Sequence, residues 1–242
     1  MGRDRLAARF TELAGQLTPM GDLSLRRRVE PRLGVEVYEV RLGGEYLMSS
    51  LFTVAEVELA RLGLAARAKH RPGATAVDVV VGGLGLGCTA AAALEDTRVA
   101  SVVVVDALPE VIDWHRRGLL PLSGALTGDP RCTLVPGDFF ARAAGRAEAL
   151  PMCDVVLLDV DHTPRHVLHP SHAGFYTAAG LRALVGRLRP GGVFALWSDD
   201  PPDQPFLDVL AAVFASARAE VVRFANPLTG GASTNTVYLA GT

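Results

Sequence analysis

The sequence predicts an α/β protein: a doubly wound, mostly parallel sheet with helices on both faces, preceded by a small N-terminal helix and an antiparallel β element. Three observations carry this. The runs Val77-Asp78-Val79-Val80-Val81, Val102-Val103-Val104-Val105 and Asp154-Val155-Val156-Leu157-Leu158 recur with helical stretches between them, as strands buried on both faces of a parallel sheet do. The first run leads through the glycine turn Gly82-Gly83-Leu84-Gly85-Leu86-Gly87 into an alanine-rich helix and then into the second run, which makes a βαβ unit. Four acids, Asp106, Asp138, Asp159 and Asp199, stand at strand ends, where open α/β sheets bind ligands.

The elements follow in order. Leu6, Phe10, Leu13 and Leu17 recur at three- and four-residue steps and predict an amphipathic first helix that ends at Thr18-Pro19. From residue 23 to 47 the pattern changes to short alternating runs, with Gly43-Gly44 as a hairpin turn. Thr53, followed by Glu56 three residues later, forms a capping-box pattern opening a helix that runs to Arg71-Pro72-Gly73. That boundary divides an N-terminal unit, residues 1–72, from a nucleoside-binding unit, residues 73–242. Beyond Asp106, Pro109 begins a helix. Residues 131–135 and 193–197 form further strands, residues 175–188 and 206–217 form helices, and residues 219–224 and 236–240 close the chain as a pair of strands.

Composition removes several function classes. With 242 residues, 49% of them hydrophobic, the chain can bury one substantial core. A net charge of -2 exerts no pull toward nucleic acid or anionic membrane, and Arg26-Arg27-Arg28 is the one conspicuous basic cluster. Cys88, Cys132 and Cys153 are scattered and odd in number; they imply neither a disulfide framework nor a metal knuckle. With no apolar signal core in the first residues and no apolar run of about 18 residues, a cytoplasmic protein is expected, acting on a small molecule.

Gly83, Gly85 and Gly87 bring backbone N–H groups close to a ligand. Asp106, about twenty residues past the first strand, is placed to take ribose hydroxyls. The residues Gly83 to Gly87, Asp106-Ala107-Leu108-Pro109-Glu110-Val111-Ile112, Gly137-Asp138-Phe139 and Asp154-Val155-Val156-Leu157-Leu158-Asp159 together resemble the class I S-adenosylmethionine-dependent methyltransferase fold. Their order is most similar to its spermidine synthase-like branch. The resemblance implies a seven-stranded Rossmann-like sheet and a sulfonium nucleoside as co-substrate, held by Gly83, Gly85, Gly87, Asp106 and Ala107. It further implies that Asp138 and Phe139 border the adenine, with Asp138 accepting from the exocyclic amine. Asp159 then matches the aspartate that borders the donor and deprotonates the attacking amine. A homodimer is plausible on the same ground.

The departures lie in the diamine half of the family pattern. Polyamine synthases grip the aminopropyl amine with an aspartate in the glycine turn, and Leu86 stands there instead. Their Asp-Ser-Ser-Asp-Pro motif appears as Asp159-Val160-Asp161-His162-Thr163-Pro164, and of their Tyr-His-Glu element only Glu56 is left. Asp161 and His162 are therefore candidate catalytic groups beside Asp159. His162, His166, His169 and His172 are spaced as zinc ligands can be, but Pro164 and Pro170 interrupt them and no cysteine lies among them. A magnesium site of Asp159 with Asp199 or Asp200 lacks the usual Asp-Asn pair, so no metal is expected. The leading expectation is alkyl transfer from S-adenosylmethionine to a small acceptor, methyl ahead of aminopropyl from the decarboxylated donor. A nucleoside-binding module without turnover and an NAD-binding oxidoreductase are the readings from other classes.

Overall fold

The protein, a computed structural model, is described over residues 10–242. It opens with a four-stranded antiparallel sheet, β1 (Phe10–Thr18), β2 (Gly21–Val29), β3 (Glu36–Leu42) and β4 (Glu45–Ser49), paired in that order. The expected first helix is thus corrected: Leu6 lies outside the described residues, and the stretch from Phe10 onward is a strand. Its pairing with β2 slips between Glu12 and Ala14. At that bulge the neighbours Leu13 and Ala14 are both half-buried, which breaks strict alternation, while Leu17 is exposed, so the helical spacing of the leucines marks no buried face. The hairpin closes at Thr18, whose hydroxyl donates to the Gly21 carbonyl at 2.8 Å. Gly43-Gly44 turns β3 into β4 as its composition predicts, both residues at positive φ.

Helix α1 (Val54–His70) leads into the second sheet. Its strands are β5 (Val77–Gly82), β6 (Val99–Asp106), β7 (Cys132–Pro136), β8 (Cys153–Leu158), β9 (Leu188–Ser198), β10 (Ser216–Asn226) and β11 (Gly231–Gly241). The spatial order is β10-β11-β9-β8-β5-β6-β7. The five strands from β9 to β7 run parallel, and β11 and β10 add to the edge antiparallel. This is the seven-stranded, doubly wound sheet of the sequence reading. The chain winds first from β5 to β7 and then returns to β8 on the other side of β5, so the strand order reverses between β5 and β8. Crevices at such reversals open at the carboxyl ends of the strands.

Helices α2 (Cys88–Leu94), α3 (Pro109–Arg116), α4 (Ser123–Thr127), α5 (Phe139–Ala143), α6 (Ala178–Val185) and α7 (Gln204–Ala211) complete the two layers. The last two are shorter than expected, because residues 175–177 and 212–214 are turns that still insert Phe175 and Phe214 into the core. Successive strand residues serve opposite faces. Val79, Val81, Val155 and Leu157 join the cluster under α1 and α2, together with Leu23, Leu25 and Val40 of the N-terminal sheet. Val80, Val156, Leu158 and Phe194 join Phe139, Leu181 and Phe206 on the other face. Both faces being buried explains why the strands read as unbroken apolar runs.

The amino ends of the strands are clamped by charge. Asp154 is buried; it accepts from Arg67 of α1, from the Asp78 N–H at 3.0 Å and from Arg189 at 2.8 Å. Its carboxyl is held below the usual range by these hydrogen bonds and cations, which outweigh the opposing effect of burial. Arg67 also donates to the Gly191 carbonyl at 3.0 Å. This lock lies at the opposite end of the strands from the crevice.

Candidate active site

The crevice is a cavity of about 510 Å³, walled by the glycine turn, the carboxyl ends of the parallel strands and the N-terminal sheet. Its size falls among small-molecule sites, roughly 300–1,000 Å³. The glycine turn shapes its floor. Gly83 has φ +93°, and a Cβ there would stand 2.1 Å from the Asp159 carbonyl oxygen, so only glycine lets the turn lie against the end of β8. A Cβ on Gly85 would meet Met48 of β4 at 2.6 Å, which shows how closely the N-terminal sheet covers the turn. His115 of α3 is fully buried, and its Nε2 lies 2.9 Å from the Gly85 carbonyl. That contact requires the proton on Nε2.

Asp106 sits at the end of β6, one oxygen accepting from the Leu84 N–H at 2.7 Å and the other from Leu108 N–H at 2.8 Å. Burial pushes its carboxyl above the ordinary value, against these hydrogen bonds. It thus ties the glycine turn to its own strand end while remaining in the cavity wall, beside Ala107. Asp138 caps α5, accepting from the Ala141 N–H at 3.1 Å, and also lines the cavity. Phe139 is both wall and core: its ring fills the space beside Gly82.

Asp159 follows β8 and faces the cavity, accepting from the Thr89 hydroxyl at 2.9 Å. Burial raises its carboxyl to about 6. Glu56 enters the same wall from α1. Here the capping-box reading is corrected: Thr53 makes no side-chain bond to the helix backbone. Burial, and then the neighbouring Asp159 charge, push the Glu56 carboxyl up to about 8. Near neutral pH the two acids therefore carry roughly one proton between them. Thr89 and Glu56 are the site residues that pattern reasoning left out. Glu56 had a signal, as the remnant of the family element, whereas Thr89 had none beyond its place in the helix after the glycine turn.

The structure separates the remaining candidates. His162 lines the cavity, and its carbonyl accepts from the Asp199 N–H at 2.8 Å. Asp161 does not reach the wall. It is buried behind the 160–172 loop, where it accepts from the Leu168 N–H at 2.7 Å, His172 Nδ1 at 2.9 Å and the Tyr176 hydroxyl at 2.7 Å. Asp161, a candidate catalytic group beside Asp159 in the sequence, thus stands apart from the cavity wall, with three of its acceptor positions anchoring the loop. Among the described residues no group of three or more His, Cys, Asp or Glu is arranged to hold a metal ion. Asp199 accepts instead from Asn235 at 2.8 Å. Cys88 stands in the wall, its thiol pushed by burial to about 12 and so kept protonated.

A doubly wound seven-stranded sheet with a crevice at its strand-order reversal, floored by a glycine turn and edged by an acid at the end of β6 and one just after β8, defines an α/β fold of the class I methyltransferase type. Comparison with solved structures gives that fold its particular form, the spermidine synthase-like one with a leading β element. Spermidine synthase from Thermotoga maritima superposes with a TM-score of 0.68 at 18% identity, over 95% of this chain and 72% of that one. A spermidine synthase in complex with the transition state analogue AdoDATO gives 0.67 at 17% identity, over 95% and 72% of the two chains. Human methyltransferase-like protein 13 in complex with SAH gives 0.52 at 22% identity, over 75% and 80%. No protein-family model matches the sequence. No helix among the described residues is long and apolar enough to cross a membrane.

Proposed function

We propose that the protein transfers an alkyl group from an S-adenosylmethionine-type sulfonium nucleoside to a small-molecule acceptor, with Asp159 taking the acceptor's proton. The observation that carries this reading is the Asp159 carboxylate, held by Thr89 in the wall of a cavity whose floor is the glycine turn. A sulfonium carbon is already activated: the acceptor lone pair forms the new bond to carbon, the C–S pair leaves with sulfur as a neutral thioether, and the proton goes to the base. The protein's share is in-line positioning and the proton acceptor. A carboxyl raised to about 6 is well matched to accepting a proton near neutrality. Asp106 takes the ribose hydroxyls and Asp138 the exocyclic amine in this reading, as in the resembling family.

Methyl transfer leads because Leu86, in the cavity wall, occupies the place of the amine-gripping aspartate. One observation favours aminopropyl transfer as the second reading: Glu56 brings a different acid beside Asp159, where a donor amine could be held. Incubation with S-adenosylmethionine and with its decarboxylated form, followed by mass spectrometry, separates them. S-adenosylhomocysteine marks the first reaction and methylthioadenosine the second. Asp159→Asn should lower turnover by about 10²–10⁴ while calorimetric donor affinity is kept. Saturable donor binding with no product from either donor, across a panel of amines, phenols and acids, would leave a binding module instead.

A further inference from the structure

The proposed function assigns the glycine turn, Asp106 and Asp138 to the donor and leaves the part of the cavity under the N-terminal sheet unassigned. That part differs from the rest in charge. Its wall is made by Leu42, Leu47 and Met48 of the N-terminal sheet, Phe52 just before α1, Leu86 of the glycine turn and Trp197 of β9. Three relations bring this apolar wall up to the acid pair. Met48 lies against Gly85, next to Leu86. Phe52 precedes Glu56 by four residues at the start of α1. Leu196 pairs with Leu158, so Trp197 stands beside Asp159 where the two strands end.

The four acids of the wall are Glu56 of α1, Asp106 at the end of β6, Asp138 capping α5 and Asp159 after β8. Among the described residues, no acid of the N-terminal sheet lines the cavity, and neither does any lysine or arginine. The sheet's acids are paired elsewhere: Glu39 accepts from Arg28 at 2.7 Å, and Glu12 faces Arg26. Asp161, the sole acid of the 160–172 segment, faces Tyr176.

Such a wall sorts acceptors by charge. A carboxylate or phosphate meets four acids and no lysine or arginine. A diamine brings two ammonium groups. The first finds Glu56 and Asp159, and the second, a few methylenes away, meets hydrocarbon and aromatic surface. An ammonium buried there without a partner is costly, whereas a methyl group in its place gains by leaving water.

We propose that the acceptor is an apolar monoamine, its nitrogen at Glu56 and Asp159 and its hydrocarbon body against Leu42, Leu47, Met48, Phe52 and Trp197. This rests on the transferase reading above, with methyl transfer leaving the acid pair to the acceptor, and it narrows the acceptor class away from the diamines of the resembling family. The ammonium gives one proton to the Asp159 carboxylate, and the freed lone pair bonds to the sulfonium carbon. The C–S pair leaves on a neutral thioether, the positive charge passes to the product as a secondary ammonium, and Asp159 returns its proton to water. About one proton is shared by the two acids near neutral pH, so about one negative charge is present to meet a single ammonium.

The test uses an isosteric pair, pentylamine and 1,4-diaminobutane, which differ by a methyl group against a second ammonium, with pentanoate as the anion. Calorimetry on the full chain, with and without 5′-methylthioadenosine, should show pentylamine binding at least about tenfold tighter than the diamine, and pentanoate not binding. Leu47→Glu puts a carboxylate at a half-buried position of β4 and should move the ratio about tenfold toward the diamine. Equal or tighter binding of the diamine by wild type, or no binding of pentylamine, overturns the proposal. So does a ratio unmoved in a Leu47→Glu protein of unchanged melting temperature; if that variant melts early, the wild-type ratio decides alone. Mass spectrometry separates this from the reading beneath it. Pentylamine bound but alkylated by neither donor overturns the transferase reading, whereas alkylation of 1,4-diaminobutane ahead of pentylamine overturns only the acceptor class.

Discussion

Replacing Glu56 by glutamine should stabilise the protein, and only at high pH. Glu56 lies in the cavity wall with its carboxyl raised from an ordinary 4.5 to about 8, by burial first and by the Asp159 charge second. Between those two values the folded chain holds a proton that the unfolded chain has released, so stability falls as pH rises through that window. Each unit of displacement is worth about 1.4 kcal/mol, so forcing Glu56 to ionise costs the fold on the order of 3–5 kcal/mol. Glutamine keeps the shape and cannot ionise. Urea unfolding of both proteins from pH 5 to pH 9, by linear extrapolation, reads the difference for the coupled Glu56–Asp159 pair, since titrating groups that do not interact with the pair cancel. The variant should match wild type within about 1 kcal/mol at pH 5 and exceed it by about 3 kcal/mol or more at pH 9. A difference that stays flat across the range would refute the placement of Glu56 as a buried acid facing Asp159.

Two further substitutions probe the frame of the site. Gly83→Ala combines φ +93° with a Cβ driven to 2.1 Å from the Asp159 carbonyl. It should lower the thermal midpoint by about 5 °C or more and weaken donor binding in calorimetry, and an unaltered midpoint would contradict the close approach. Arg67→Met strips the buried Asp154 of one cation while Arg189 remains. A loss of about 3 kcal/mol in urea unfolding is expected, with part of it recovered when Asp154→Asn is added; no recovery would mean that Arg67 acts through packing instead.

The central sheet was legible because its physics is local. Strands buried on both faces must be apolar throughout, and Val79 to Val81, Val102 to Val105 and Val155 to Leu158 announce themselves. Asp106 and Asp159 could be placed because a parallel strand can end in only one crevice. What escaped is long-range. The capping-box pattern of Thr53 and Glu56 is the same whether the glutamate turns back to its helix or across to an acid some hundred residues later, and only packing decides. Asp161 and Asp159 look alike in sequence, and two residues apart they would share a face of a continued strand, but β8 ends at Leu158 and the chain bends beyond it, so one faces the cavity and the other faces Tyr176. Leu13 and Leu17 kept a helical rhythm that marked no shared face: Leu13 is half-buried, whereas Leu17 is exposed.

The hairpins that cover the glycine turn share their apolar interior with the sheet beneath: Leu23, Leu25 and Val40 belong to the same cluster as Val79, Val81 and Leu157. A roof built into the same masonry as its floor has no separate melting event. Amide hydrogens of β2 and β3 should then exchange in step with those of β5, and the cavity wall given by the N-terminal sheet should be as rigid as the one given by the glycine turn. Under the proposed function, a different acceptor is met by changing side chains such as Leu42, Leu47 and Met48 on a fixed ceiling, not by loosening it.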